Sequence, residues 1–219
     1  MEPDVQGGAV SVGERRLPLC PFPPISWWAA AQSEGVLLDA GEHYQKRSFR
    51  NRFAIMTSGG AQVCTIPVER RGGRPRPQDE TSRIGGDADR KVWQAIRTAY
   101  GRTPFFDEMS EGLAPLILEG AASLGEWNRA TIRWAASWLD LDVPPDAQEV
   151  PTRVDHTGNM ARFAAQAGRL DIRWPHVWSG RHDAIPFLQL GILDVLLHLG
   201  PEARRLITPI PWSAPQRPG

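Results

Sequence analysis

Apolar residues come in short runs over the first third of the chain and at helical spacing beyond residue 87. "RLPLCPF" is an extended lead-in that Pro21, Pro23 and Pro24 keep from being a regular central strand. "ISWWAAAQS" has helical composition and starts after a Pro-bounded turn, and "VLLDA" is a buried-strand candidate. "FRNRFAIMT" and "QVCTIPV" flank "SGGA", the pattern of a β-hairpin with a glycine turn. "RRGGRPRPQDETSRIGG", residues 70–86, is polar and rich in Gly and Pro, which predicts a mobile basic loop.

Helices follow. Asp87 is placed to cap a helix that runs to Tyr100, with Val92, Trp93, Ile96 and Tyr100 on one stripe and Gly101 ending it. "TPFFDEMSEGLAPLILEGAA" predicts one or two short helices interrupted at Pro115. Ser123 followed by Glu126 is a capping-box pattern, opening a helix with Trp127, Thr131, Trp134 and Trp138 along one stripe. "DLDVPPDAQEVPT" reads as a linker, "NMARFAAQAG" as a short helix and "IRWPHVW" as a late strand. "PFLQLGILDVLLHLGP" reads as a buried final helix stopped by Gly200 and Pro201. The pattern predicts an α/β (or α+β) fold: one domain over residues 15–207, a mixed sheet from N-terminal strands plus a late strand, and a helix-rich second half. Residues 1–14 and 208–219 are expected to be flexible tails.

Composition narrows the function classes. The 25 basic residues equal the 25 acidic ones, so no global field recruits nucleic acid or anionic membrane, and an anion site has to be local. Two cysteines are too few for a disulfide framework or a structural zinc site. No run reaches membrane-spanning length and the start has no apolar signal core, so the expectation is a soluble, reduced, cytoplasmic protein. Nine Trp favour a thick core or a stacking pocket without choosing between them.

Against that neutral background "HYQKRSFRNR", residues 43–52, stands out. It sets Lys46, Arg47, Arg50 and Arg52 beside His43, Tyr44 and Asn51. As a strand, 49–56 would put Arg50 and Arg52 on one face and Phe49, Asn51, Phe53 and Ile55 on the other. Guanidinium forks converging near a strand start suit phosphate or carboxylate; the alternative is a solvated basic face paired with Asp39 and Glu42. In the last helix Asp194 and His198 lie four apart on one face, with Gly191 a turn earlier. A carboxylate inside a core needs partners, so Asp194 would orient His198, hold one of the arginines, or sit in a structural network. Cys20 and Cys64 read as structural, and His176 and His182 as weak candidates. No sequence motif suggests a metal or a dinucleotide, and the cofactor is unknown. The five arginines of the 70–86 loop, without interleaved aromatics, are weak signals for nucleic acid.

"FPPISWW", "EHYQKRSFRNR", "CTIPVE", "VWQAIRTAYGRTPFFDEM" and "LGILDVLLHLGPEA" occur in an order and spacing that resemble the WbqC-like proteins of bacteria, several of which occur among surface-polysaccharide genes. Carried over by position, Lys46, Asn51, Arg52, Trp93, Tyr100, Pro104 and Asp194 match pattern residues. Many members begin with His-Gln-Pro where this chain has "PLC", commonly have Asn at the position of His198 and Ser at that of Gly191, and differ over residues 141–186. The resemblance implies glycine or aminoacyl transfer onto an amino sugar.

The expectation is therefore an acyl or aminoacyl transferase acting on an amine of a sugar or similar small metabolite. The basic cluster would bind a phosphate-bearing donor or acceptor, with Tyr44, Trp93 and Tyr100 as further binding residues. His43 would be the general base, Asn51 would stabilise the oxyanion, and Asp194 and His198 would complete the catalytic set. A carrier protein or aminoacyl-tRNA could present the donor. The alternative is a non-catalytic scaffold that binds an anionic ligand or a protein partner.

Overall fold

The structure is a computed structural model, and it describes residues 15–39, 41, 43–44, 49–69, 77–147 and 190–207. The class is mixed α/β, with the longer helices in the second half. The described strands form two small sheets: β1 (Arg15–Pro18) pairs in parallel with β2 (Val36–Asp39), and β3 (Arg52–Thr57) pairs antiparallel with β4 (Gly60–Thr65). The other edge of β2 is also used, since Leu38 N–H donates to Pro145 O and Leu38 O accepts from Ala147 N–H, both at 2.8 Å. The "linker" after residue 140 thus contributes extended chain to that sheet. The "NMARFAAQAG" and "IRWPHVW" elements, and both tails, lie outside the described residues.

Five described α-helices enclose these strands: α1 (Ile25–Ala31), α2 (Asp87–Tyr100), α3 (Phe106–Leu118), α4 (Leu124–Leu139) and α5 (Leu193–Leu199). α1 is buried on every side, which suits its Trp- and Ala-rich sequence, and Trp27 Nε1 donates to Pro18 O at 3.0 Å. α4 begins as its sequence predicts: Ser123 Oγ accepts from Glu126 N–H at 3.2 Å. Its apolar stripe drives Trp127, Ile132 and Leu139 into the core. Trp27, Trp28 and Trp127 are among the largest fully buried side chains, so at these positions the tryptophans build core rather than a stacking pocket.

Four local expectations are corrected. Asp87 is the first residue of α2 rather than its cap; Gly86 holds the cap position and Asp87 pairs with Arg90 on the surface. α3 continues through Pro115, because the carbonyl that proline leaves without a donor belongs to Glu111, which faces water. The strand expected over 49–56 starts only at Arg52, after a 3-10 turn at Phe49–Asn51, so Arg50 and Arg52 do not share a strand face. The final helix begins at Leu193, and Gly191 is not part of its stripe. Gly191 instead donates to Ala54 O at 2.8 Å, stitching the chain ahead of α5 to β3.

Arg83 departs from the expectation of a mobile basic loop. Its guanidinium, 4% exposed, donates to Asp89 at 2.8 Å and lies 4.7 Å over the Trp127 ring. Burial draws the Arg83 pKa down, and the adjoining Asp89 charge works against that shift. This arginine ties the 77–86 segment to α2 and α4 and is not available to a polyanion.

Candidate functional site

In parallel pairs, ligand sites lie beyond the carboxyl ends of the strands. Here those ends are Pro18 of β1 and Asp39 of β2, and the chains leaving them are Leu19–Pro24 and the segment that leads into the basic cluster. At the β2 end, Asp39 forms a buried pair with Arg16 of β1 at 3.8 Å.

One buried carboxamide joins these chains. Asn128, on the core side of α4, donates through Nδ2 to Arg50 O at 2.8 Å and Gln78 Oε1 at 2.7 Å, with a longer contact to Leu19 O at 3.4 Å. Gln78 Nε2 donates to the same Leu19 carbonyl at 3.0 Å. Next to it, Thr131 Oγ1 donates to Asn128 O at 2.8 Å and accepts from Phe22 N–H at 3.2 Å. Phe22 has a φ of 42°, in the left-handed region that a bulky residue adopts only when its surroundings enforce it. Edge contacts with Phe53 at 4.9 Å and with Trp127 and Trp134 at 6.0 Å supply that enforcement. Two oxygens in this cluster, Asn51 Oδ1 and Asn128 Oδ1, are buried and accept no hydrogen bond among the described residues.

His43 is exposed and forms a bridge with Pro77, directly before Gln78. Tyr44 is half-buried and packs against the core. Arg50, 4% exposed, and Asn51 turn inward with the 3-10 turn, while Arg52 is half-buried at the start of β3. The Asn51 amide donates to Ile66 O at 2.8 Å, and Asn51 O accepts from Ile66 N–H at 2.8 Å, so this residue extends the hairpin pairing by one rung. Lys46 and Arg47 lie outside the described residues.

A second polar group forms where α2, α5 and β3 meet. Tyr100 Oη donates to Asp194 Oδ1 at 2.9 Å and accepts from Met56 N–H at 2.8 Å. Burial, reinforced by the Asp194 charge, holds the Tyr100 hydroxyl well above its ordinary pKa. His198 Nδ1 lies 2.6 Å from the Asp194 backbone carbonyl, which can only accept, so Nδ1 donates. Its ring meets that of Tyr100 edge-on at 5.9 Å. Asp194 thus engages His198 through the backbone, and its carboxylate accepts from Tyr100. Trp93 stacks on Phe106 at 5.9 Å, so one face of that ring is taken inside the protein. Arg52 and Met56 lie four residue steps apart along β3, about 13 Å of strand, which sets this group apart from the Asn128 cluster.

Gln78, Asn128, Asp39 and Arg16 are absent from the sequence-derived site. Asn128 did carry a signal, a carboxamide at helical spacing with Leu124, Thr131 and Ala135 on the buried face of α4. Gln78, inside a polar Gly/Pro-rich stretch, had none. Among the described residues no three His, Cys, Asp or Glu side chains converge as metal ligands, and no helix is long and apolar enough to cross a membrane.

Comparison with known proteins locates the chain. The sequence profile of the WbqC-like protein family matches residues 22–168, which hold the Phe22 loop, the basic cluster, Gln78 and Asn128. The chain is 34% identical over 193 residues to the uncharacterized protein Rv1507c of Mycobacterium tuberculosis, an alignment covering 73% of this chain and 81% of the relative. No solved structure matches it. On a family match over more than half its length and a relative of this similarity, the chain belongs to the WbqC-like protein family.

Proposed function

We propose that the protein transfers an acyl or aminoacyl group to an amine of a sugar or similar small metabolite, at a site beyond the carboxyl ends of β1 and β2. The observation that carries this reading is that Asn128 joins the Arg50–Asn51 turn to Gln78, next to the bridge that His43 forms with Pro77. An exposed imidazole beside a polar cluster can serve as the proton acceptor that amine acylation uses.

In the proposed reaction the amine nitrogen attacks the donor's acyl carbon. A C–N bond forms and the donor's C–O or C–S bond breaks. His43 takes the proton released by nitrogen and returns it to the leaving oxygen or sulfur. Lys46, Arg47 and Arg52 hold the phosphate of the donor or acceptor, because charge-assisted bonds to phosphate are strong and, from arginine, directional. The Asn51 side-chain amide is committed to Ile66 O, so the oxyanion role passes to a backbone amide. The Asp194–His198 group is assigned to positioning α5, since its described bonds run within the core.

The test is a ligand screen by thermal shift on the full chain, with nucleotide sugars, coenzyme A esters, ATP, amino acids and tRNA. It is repeated with Lys46→Ala, Arg52→Ala and His43→Ala. A ligand at about one hundred times its dissociation constant adds roughly 2.7 kcal/mol. The expected result is a shift lost in Lys46→Ala and Arg52→Ala but kept in His43→Ala, with product formation by mass spectrometry lost in His43→Ala. Binding with undiminished turnover in His43→Ala overturns the base assignment. Binding without turnover of any donor–acceptor pair favours an anion-binding scaffold.

A further inference from the structure

The hairpin leaves one strand edge open. The register places Thr57 opposite Gly60, Ala54 opposite Val63 and Arg52 opposite Thr65. In an antiparallel pair, facing residues alternate between exchanging both hydrogen bonds and directing both outward. On the far edge of β3, Ala54 O accepts from Gly191 N–H and Met56 N–H donates to Tyr100 Oη, so Ala54 and Met56 are outward-directed. Their partners Val63 and Ala61, and Thr65 in the same phase, must direct their N–H and C=O groups away from β3 as well. Among the described residues nothing pairs with that edge, and the Val63 side chain is 50% exposed. Gly60–Thr65 contains no Pro, Lys or other charge of the kind that blunts exposed edges.

Beside this edge runs a groove of about 260 Å³, with β4 as one wall and α2 as the other. The helix wall offers Ala88 and Ala95, two turns apart and small enough to let a backbone approach, with Lys91 between them. Lys91 is the single charged residue lining the groove, is exposed, and has no acidic partner among the described residues. A strand edge facing a helix across a cleft is the geometry by which extended peptides add to a sheet, backbone bonds giving affinity and alternate side chains giving selectivity.

We propose that this groove takes an extended segment of a partner protein as a third strand beside β4, with an acidic side chain of that segment set against Lys91. The site is independent of the proposed transferase centre. A second copy of this chain fits less well, because β4, the strand it would present, reads GAQVCT and has no acid for Lys91.

The probes are fluorescein-labelled hexapeptides with Val, Ile or Thr at alternate positions and Glu, Gln or Lys at the centre, titrated by anisotropy against the full chain. The Glu peptides are expected to bind at least about tenfold tighter than the Lys peptides. Lys91→Glu, an exposed substitution on α2, should invert that order. N-methylation of one alternating set of peptide amides should abolish binding, while methylation of the other set leaves it intact. Val63→Pro, which removes an outward N–H without touching the β3 ladder, should abolish it too. The proposal fails if no hexapeptide binds up to about 1 mM. It fails equally if Lys91→Glu leaves the order unchanged or if both methylated sets bind alike. Concentration-dependent self-association lost in Val63→Pro would assign the edge to a second copy and overturn the partner.

Discussion

Tyr100→Phe removes one oxygen from the junction of α2, α5 and β3. That oxygen accepts from Met56 N–H at 2.8 Å and donates to Asp194 Oδ1 at 2.9 Å, and Tyr100 is 1% exposed, so water cannot take its place. Met56 N–H then lies in the core without an acceptor, at about 1–3 kcal/mol. The lost bond to a carboxylate adds about 1.5–3 kcal/mol, but both losses belong to one hydroxyl and overlap, giving roughly 2–4 kcal/mol in total. At about 2–4 °C per kcal/mol for a chain of this size, the Tm should fall by roughly 5–15 °C.

The assay is urea unfolding followed by tryptophan fluorescence, for wild type, Tyr100→Phe, Asp194→Ala and the double variant. Because the two side chains share a hydrogen bond, the double variant should lose clearly less than the two single variants together. Tyr100 retains its proton in the fold, so its contribution is complete below about pH 10 and declines as pH rises beyond that. The alkaline limb of the stability curve should accordingly be shallower in Tyr100→Phe. A loss below about 1 kcal/mol, or strict additivity, would show that the hydroxyl is not the joint between these elements.

Arg83→Met strands Asp89 in the core and should lower stability by about 3–5 kcal/mol, with at least half recovered in Arg83→Met/Asp89→Leu; an unchanged urea midpoint would refute the pairing. Burial pushes the Cys64 thiol from 9.0 to about 12, so its contribution is complete below about pH 9 and lost as pH rises through about 12; Cys64→Ala should flatten that segment of the stability curve, and an identical slope would contradict it.

What the sequence disclosed follows from the range of the interactions. α2 and α4 were legible because amphipathic spacing and the Ser123 cap act within a few residues. The hairpin was legible because its turn residues lie between two apolar runs. The start of β3 was missed by three residues, since apolar alternation gives no sign of a 3-10 turn whose Arg50 carbonyl accepts from the distant Asn128 side-chain amide. Asp194 was legible as a carboxylate in an apolar helix that had to find a partner. Tyr100 was named for a separate reason, and nothing local says that two residues 94 positions apart are bonded. Arg83 misled because a cation in a Gly/Pro-rich stretch looks solvated until its buried acid and its aromatic ring are located.

The same contrast explains how the candidate site is built. The basic cluster lies beyond β2 and joins the hairpin pairing only at Asn51 and Arg52, and the link from its Arg50 to the chain leaving β1 runs through carbonyls. Asn128 holds Arg50 O and Gln78 Oε1, Gln78 holds Leu19 O, and Thr131 holds Phe22 N–H, so a few side chains, mainly from α4, position both chains at once. The strained Phe22 backbone persists because aromatic packing and the Thr131 hydrogen bond both hold it, and Ile192 N–H, donating to Phe22 O at 3.3 Å, carries the constraint to the start of α5. Position at this candidate site is therefore set by α4 and α5, and under the proposed function the charges of the opening cluster would add affinity to a geometry fixed elsewhere. If the proposed site binds its ligand there, Asn128→Ala on the buried face of α4 should weaken the thermal shift as much as Arg52→Ala does, and an unchanged shift would refute this dependence.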